Sequence, residues 1–413
     1  MTFKTRLSVL MLSTPALLFV VVGGLMGNVS APRGDQTFQH LRVFDDVVNL
    51  VVGNYVEEVK IDRVMEGALK GLAEGLDPDS AYLNPQQVAD VQSGAALADG
   101  DVGLELTRQY YLRVIAARDD SPAGKAGLQT GDYVRGIDGK PTREMSVFEG
   151  NRLLHGQPGS KVALTIIRGN AAEPHEVTLV REKPPAMLVS GRAATPEVGY
   201  VRISSFRNGV VEQLTKQVAD LSRAGAKSLV VDVRHTAEGP LENGIAAARL
   251  FVKSGTLTIK GGRERDPNDK DSKARNAAEK TPAPPDAPRE TIAAQAGDGA
   301  IELPVQLLIT TGTSGAAEVF AAALDGNKRA ELVGEHTIGR AGIQKLVKLP
   351  ENRGLWLTYA RYLTPSGEAI HGKGLKPDVE VEDVDVADFG VAPSTQGDPI
   401  LDAALARVAK KAA

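Results

Sequence analysis

Cysteine is absent from this chain of 413 residues. Disulfides, thiolate metal sites and a cysteine nucleophile are thereby excluded, while the redox compartment is left undefined. A charge excess is also missing. The net charge of −4 gives no reason to expect nucleic acid or an acidic membrane surface as partner. No His-Glu-x-x-His or comparable metal spacing occurs, so neither a metallopeptidase nor any cofactor is indicated. What is present is globular in character, with 42% hydrophobic and 24% charged residues. The length predicts two or three domains, each able to bury a core.

One long apolar run stands at the N-terminus. Lys4 and Arg6 precede Leu7 to Met26, which only Ser8, Ser13, Thr14 and Pro15 interrupt. About 20 such residues suffice to cross a bilayer as a helix. Positive charge ahead of the run predicts export of the remainder of the chain. Val29-Ser30-Ala31 offers a small-residue cleavage site, so residues 1–31 read as a signal anchor or a signal peptide, with the anchor preferred for its length. Either way the body is expected on the envelope or periplasmic side, with the anchor as its contact with the membrane.

Residues 38–97 read as helical. Leu41, Phe44, Val47, Val48, Val51 and Val52 recur at helical spacing, and Val64, Met65, Ala68, Leu69 and Leu72 line a second helix that stops before Pro78. With no ligand-like cluster, packing is their expected role. Residues 98–184 read as a small β-rich module. Tyr111 to Ile115 alternates as a strand, Gly131 to Gly139 is a strand bounded by glycine turns, and a helix at Ser146 to Leu154 precedes a strand at Lys161 to Arg168.

From 185–261 and 300–385 strands and helices alternate. Ser228 to Arg234 and Val305 to Ile309 are apolar enough to be buried in a mixed sheet. Residues 262–299 are rich in Pro, Asp, Lys, Glu and Ala and lack apolar periodicity, which predicts a disordered insertion. Residues 386–413 form a linker and a final helix. The fold class expected is therefore α/β and multidomain.

Two stretches carry resemblances. The Ala126-Gly127-Leu128 and Gly131-Asp132 spacing resembles a PDZ domain, which implies binding of a peptide added as a strand to an open sheet edge. That resemblance places the peptide at Val102, Gly103, Leu104, Glu105 and Leu106. Leu76 to Leu83, Asp232-Val233-Arg234, Glu318-Val319, Gln344, Ala360 to Gly367 and Gly372 to Asp378 together resemble the carboxyl-terminal processing peptidases, or tail-specific proteases. That family combines a PDZ domain with a serine–lysine protease core.

The chain departs from the family where its chemistry sits. Leu307 to Val319 has the layout of a strand, a sharp small-residue turn and a helix start, which presents one side chain where a nucleophile would sit. By the resemblance that position is Ala317, which has no hydroxyl and cannot form an acyl-enzyme. The general-base lysine is replaced by Arg340, which keeps its proton. Gln344 matches an orienting third member with nothing left to orient. After Arg234 the family's oxyanion glycine corresponds to Glu238, a carboxylate where anionic charge would develop. The expectation is an inactive homologue that binds polypeptide C-termini or envelope proteins through its PDZ domain, with no nucleic acid as partner. The alternative is an active peptidase with a displaced nucleophile such as Ser314, served by His336 or His235. Against it, Ser314 and Thr313 read as caps of the helix that begins near Ala316.

Overall fold

Proline and small polar side chains set where the first helices start and stop. The computed structural model describes residues 33–94, 97–169, 173–262, 289–383 and 397–412. The expected anchor and its cleavage site lie outside these residues. Among the described residues no helix is long and apolar enough to cross a membrane. The chain divides into two units, residues 1–69 and 70–413.

The first unit holds α1 (Arg33–Asn54) and most of α2 (Ile61–Glu74). Leu41, Phe44, Val47 and Leu50 keep helical spacing, but they are exposed rather than packed. One long helix and part of another supply no layer to cover that stripe, so the packing role expected for it is not met within the unit.

In the second unit, Asp77 closes a turn by accepting from the Asp79 and Ser80 amides at 2.9 and 2.8 Å. Strand β1 (Ala81–Leu83) follows. Asn84 then starts α3 (Pro85–Gln92) through a reciprocal pair of hydrogen bonds with Gln87.

The β-rich module runs through β2 (Leu104–Gln109), β3 (Tyr111–Ala117), α4 (Pro122–Lys125), β4 (Tyr133–Ile137), β5 (Lys140–Pro141), α5 (Val147–Leu154), β6 (Lys161–Ile167) and β7 (His175–Val180). Its sheet has the order β2-β3-β4-β6-β7, with β5 on β4. Strand β7 escaped the sequence reading because it is an edge whose outer positions, such as Glu176 and Thr178, are polar. Leu106, Leu112, Val134, Ile137, Leu164 and Ile166 are buried in a core of their own.

The larger domain contains β8 (Val189–Thr195), β9 (Val198–Ile203), α6 (Val210–Arg223), β10 (Ser228–Asp232), α7 (Leu241–Arg249), β11 (Thr256–Gly262), β12 (Arg289–Ala293), β13 (Val305–Ile309), α8 (Ala316–Gly326), β14 (Ala330–Gly334), β15 (Gly342–Lys348), β16 (Gly354–Leu363), β17 (Val379–Glu380) and α9 (Pro399–Ala412). Its main sheet, β17-β14-β13-β10-β9-β8, is parallel except at β8. Strands β10 and β13 are buried on both faces, as their nearly continuous apolar runs require. On one face Phe206, Phe251, Phe320 and Leu307 belong to the main core. On the other, Ile400 and Ala404 of α9 cover Val230, Leu308 and Val333.

A second sheet joins β1, β16, β11 and β12, with β15 paired to β16. Strand β12 falls inside the stretch 262–299 expected to be disordered. Arg289 to Ala293 pairs antiparallel with β11, and Thr291-Ile292 supplies β-branched residues that suit an edge strand. Residues 263–288 lie outside the described residues.

Candidate functional site

In a parallel sheet the strands end together at one edge, and ligands of such folds collect there. The segments leaving β10, β13 and β14 meet at that edge and carry Glu238, Ala317 and Arg340. The turn after β13 is fixed by Thr313, whose hydroxyl donates to the Val233 carbonyl at 2.9 Å and accepts from the Thr310 amide at 3.0 Å. The Ser314 amide donates to the Thr236 carbonyl at 2.9 Å, which ties the β10 and β13 segments together.

Helix α8 begins at Gly315, whose φ of 62° and ψ of −121° suit a residue without Cβ. The cap comes from Glu318, not from Thr313 or Ser314 as their residue types suggest. Thr313 is committed to the turn, and Glu318 reaches back to the Gly315 amide at 3.1 Å. The same carboxylate accepts from the Arg340 and Gly339 amides, both at 2.7 Å, and from the Thr337 hydroxyl. Burial raises the pKa of Glu318, while those four donors oppose the rise. Glu318 thus holds the β14 segment against the helix that carries Ala317. In the sequence it stands only as a family marker, and nothing local there signals this role.

Ala317 is fully buried in the first turn of α8 and contributes only a methyl group. Arg340 does not point to it for a proton transfer. Its guanidinium grips both oxygens of Asp79, Nη2 to Oδ1 at 2.5 Å and Nε to Oδ2 at 3.2 Å. Nη1 donates to the Leu106 carbonyl on β2 at 2.9 Å. Burial works to lower the pKa of Arg340, but the carboxylates of Asp79, Glu105 and Glu318 together outweigh it and hold the pKa above its ordinary value. The family's base position has become an ion pair with Asp79, beside β1, and a hydrogen bond to β2 of the β-rich domain.

Gln344 is turned away from Arg340. Its Nε2 donates to the Thr358 hydroxyl at 3.1 Å, and that hydroxyl donates to Asp77 at 3.2 Å. His371 lies alongside, its pKa lowered by burial against the opposing pull of Asp79 and Asp77. Asp77, Asp79 and His371 bring ligand atoms within 4.8 Å of one another, a spacing that can hold a metal ion. Here Asp79 is saturated by Arg340, and Asp77 accepts from two amides and two hydroxyls. A cation would have to displace those donors.

Glu238 faces the β-rich domain. It lies 3.2 Å from Arg118 and 3.3 Å from Arg207, and Arg118 is itself held by Asp101 at 2.7 Å. The expected peptide positions lie beside this chain of charges. Val102, Gly103, Leu104 and Leu106 are buried, and the first three line a cavity of about 40 Å³ with Glu105, Arg118 and Glu238. A Cβ on Gly103 would fall 2.3 Å from that of Ser121, so the loop needs glycine there. Burial pushes the Glu105 carboxyl up to about 7, with Arg340 opposing the rise and Glu238 adding to it.

Ser314 is buried as well. His235 Nδ1 lies 3.0 Å from the Thr130 hydroxyl and its Nε2 3.4 Å from Asp383, while His336 Nδ1 bonds the Thr337 carbonyl at 2.8 Å. Both His235 nitrogens and His336 Nδ1 are thus engaged with partners other than Ser314.

Comparison with known proteins matches both domains of the second unit. The chain matches peptidase family S41 over residues 197–381 and the PDZ domain over residues 113–168. It is 29% identical over 360 residues to a carboxy-terminal-processing protease of Bartonella bacilliformis, covering 86% of this chain and 78% of that one. A carboxyl-terminal-processing protease of Synechocystis is 30% identical over 313 residues, covering 74% and 68% respectively. A solved photosystem II D1 C-terminal processing protease superposes with a TM-score of 0.62 at 26% identity, over 83% of this chain and 94% of that one.

Proposed function

We propose that this chain, which belongs to the carboxy-terminal-processing proteases of peptidase family S41, is a pseudopeptidase of the cell envelope. It keeps the scaffold of the family and binds polypeptide C-termini through its PDZ domain, as an adaptor or as an inactive subunit beside an active relative. The N-terminal apolar run holds it at the membrane.

One observation carries this reading. Each of the three guanidinium nitrogens of Arg340 donates to Asp79 or to the Leu106 carbonyl, and the residue at the head of α8 offers a methyl group. An acyl-transfer enzyme needs a nucleophile and a base within hydrogen-bond reach of each other. Neither group exists at these positions. Glu238 adds negative charge where a donor would be wanted. The Leu106 contact bears on binding too, because a peptide strand adding to β2 needs the outward carbonyls of that edge.

The test is degradation of an unfolded protein with an apolar tail by the full-length chain. It runs beside Ala317→Ser/Arg340→Lys/Glu238→Gly and beside Ser314→Ala, with tail-peptide binding measured in parallel. Binding without turnover, and turnover gained by the triple variant, is the expected result. Turnover by the natural sequence that Ser314→Ala abolishes would overturn it.

A further inference from the structure

The whole-chain charge of −4 conceals a concentrated cationic face on the PDZ domain. Alternation along β3 and β4 places Tyr111, Arg113, Tyr133 and Arg135 on the outer face of the sheet, while Leu112, Val114 and Val134 are buried. Arg113 and Tyr133 are direct cross-strand partners. Each outer arginine lies over a ring: Arg113 over Tyr133 at 5.5 Å, Arg135 over Tyr111 at 5.1 Å. At the β2–β3 turn the pattern repeats, with Arg143 over Tyr110 at 4.8 Å. Tyr110 has a φ of 69° and is 62% exposed, a costly position for a large ring, and it meets the Tyr111 ring edge-on.

Stacking fixes the three guanidiniums and leaves their N–H edges free to bond outward. Arg113 bonds Gln109 and the Gly131 carbonyl, and Arg135 bonds the Tyr111 hydroxyl. Among the described residues none of the three has a carboxylate partner. Of the nearby acids, Glu74 pairs with Arg108, Asp132 with Arg168, and Glu176, out on β7, bonds Thr165, while Glu144 stands exposed next to Arg143. Beside the turn a hollow of about 460 Å³ is lined by Leu76, Pro78, Arg108, Tyr110 and Arg143, and Asp77 on its wall is consumed by its own turn.

We propose that this face docks on the surface of an anionic phospholipid bilayer, with lipid phosphates on Arg113, Arg135 and Arg143 and the Tyr110 ring seated at headgroup level. Cationic side chains beside an exposed tyrosine are the pairing an anionic interface favours. The guanidiniums lie across a sheet face and a hairpin tip, which suits a surface rather than one extended chain. The rings already carry arginines, so they are poor platforms for nucleic-acid bases. The inference rests on neither the loss of catalysis nor the N-terminal anchor.

The test is hydrogen exchange of the full-length chain mixed with nanodiscs of phosphatidylcholine alone or with added phosphatidylglycerol. Peptides spanning 108–114 and 133–143 should exchange about fivefold more slowly with phosphatidylglycerol only, and high salt should erase the difference. Arg135→Gln/Arg143→Gln alters two exposed side chains and should lose the protection while the β6 core keeps its slow exchange. Equal protection in both lipids, or protection that survives in the variant, overturns the proposal. So does protection by poly-glutamate without protection by phosphatidylglycerol, which would point to an acidic polypeptide.

Discussion

Glu238 of the protease-type domain sits 3.2 Å from Arg118 of the PDZ domain, at the position where the family resemblance calls for a glycine. A residue expected to damage an oxyanion site is thus an ion-pair partner between domains. The substitution keeps the backbone amide and adds a carboxylate, and with it a tie between domains.

Glu238→Gly should therefore loosen the two domains. Arg118 keeps Asp101, so the cost should be modest, about 1–3 kcal/mol for the lost charged hydrogen bonds. Faster amide exchange at 101–106 with an unchanged main-sheet core would show the effect. An unchanged rate there would mean that the pair holds nothing.

Arg340→Met should cost more. It strands the Asp79 carboxylate, which is mostly buried, and breaking such a pair from one side costs about 3–5 kcal/mol. Arg340→Met/Asp79→Asn should recover part of that loss. Urea unfolding of both variants measures it, and equal losses in the two would refute the pairing.

Glu105 should make stability fall as pH rises. Its carboxyl titrates near 7 in the folded chain and near 4.5 when unfolded. Between those values the folded state holds a proton that the unfolded state has released, so each step upward disfavours folding, by up to about 3 kcal/mol in all. Glu105→Gln should match the parent near pH 4.5 and exceed it at pH 8. Urea midpoints at the two pH values decide the matter.

Glu318→Ala should be among the most damaging single changes. It leaves the amides of Gly315, Gly339 and Arg340 without their acceptor, at about 1–3 kcal/mol each when buried. Thermal unfolding reads the loss. A variant as stable as the parent would mean that water replaces the carboxylate.

Much of this architecture was legible because its signals are local. Val305 to Ile309 is apolar but for Gln306, and the structure gives β13 those bounds. Ser146 announces α5, whose start it caps through the Glu149 amide at 3.1 Å. The identities of Ala317, Arg340 and Glu238 could be read directly, but their partners could not. Asp79 is 261 residues from Arg340 and Arg118 is 120 from Glu238, so no spacing rule links them. Strand β16 carries a family motif, yet its pairing with β1, β11 and β15 depends on segments far apart in the chain. The cap of α8 was misassigned for a similar reason: Thr313 looks free in sequence and is spoken for by Val233 in space.

The Glu318 clamp also explains how such a scaffold can lose one chemistry and stay intact. Its bonds to residues 339 and 340 go to main-chain amides, which every non-proline residue supplies. The loop's main-chain outline does not depend on the side chain at 340, so the cost of exchanging it falls on its partner Asp79 and not on the loop. Such a site is a socket: the frame persists, and a new group in it needs only a new partner.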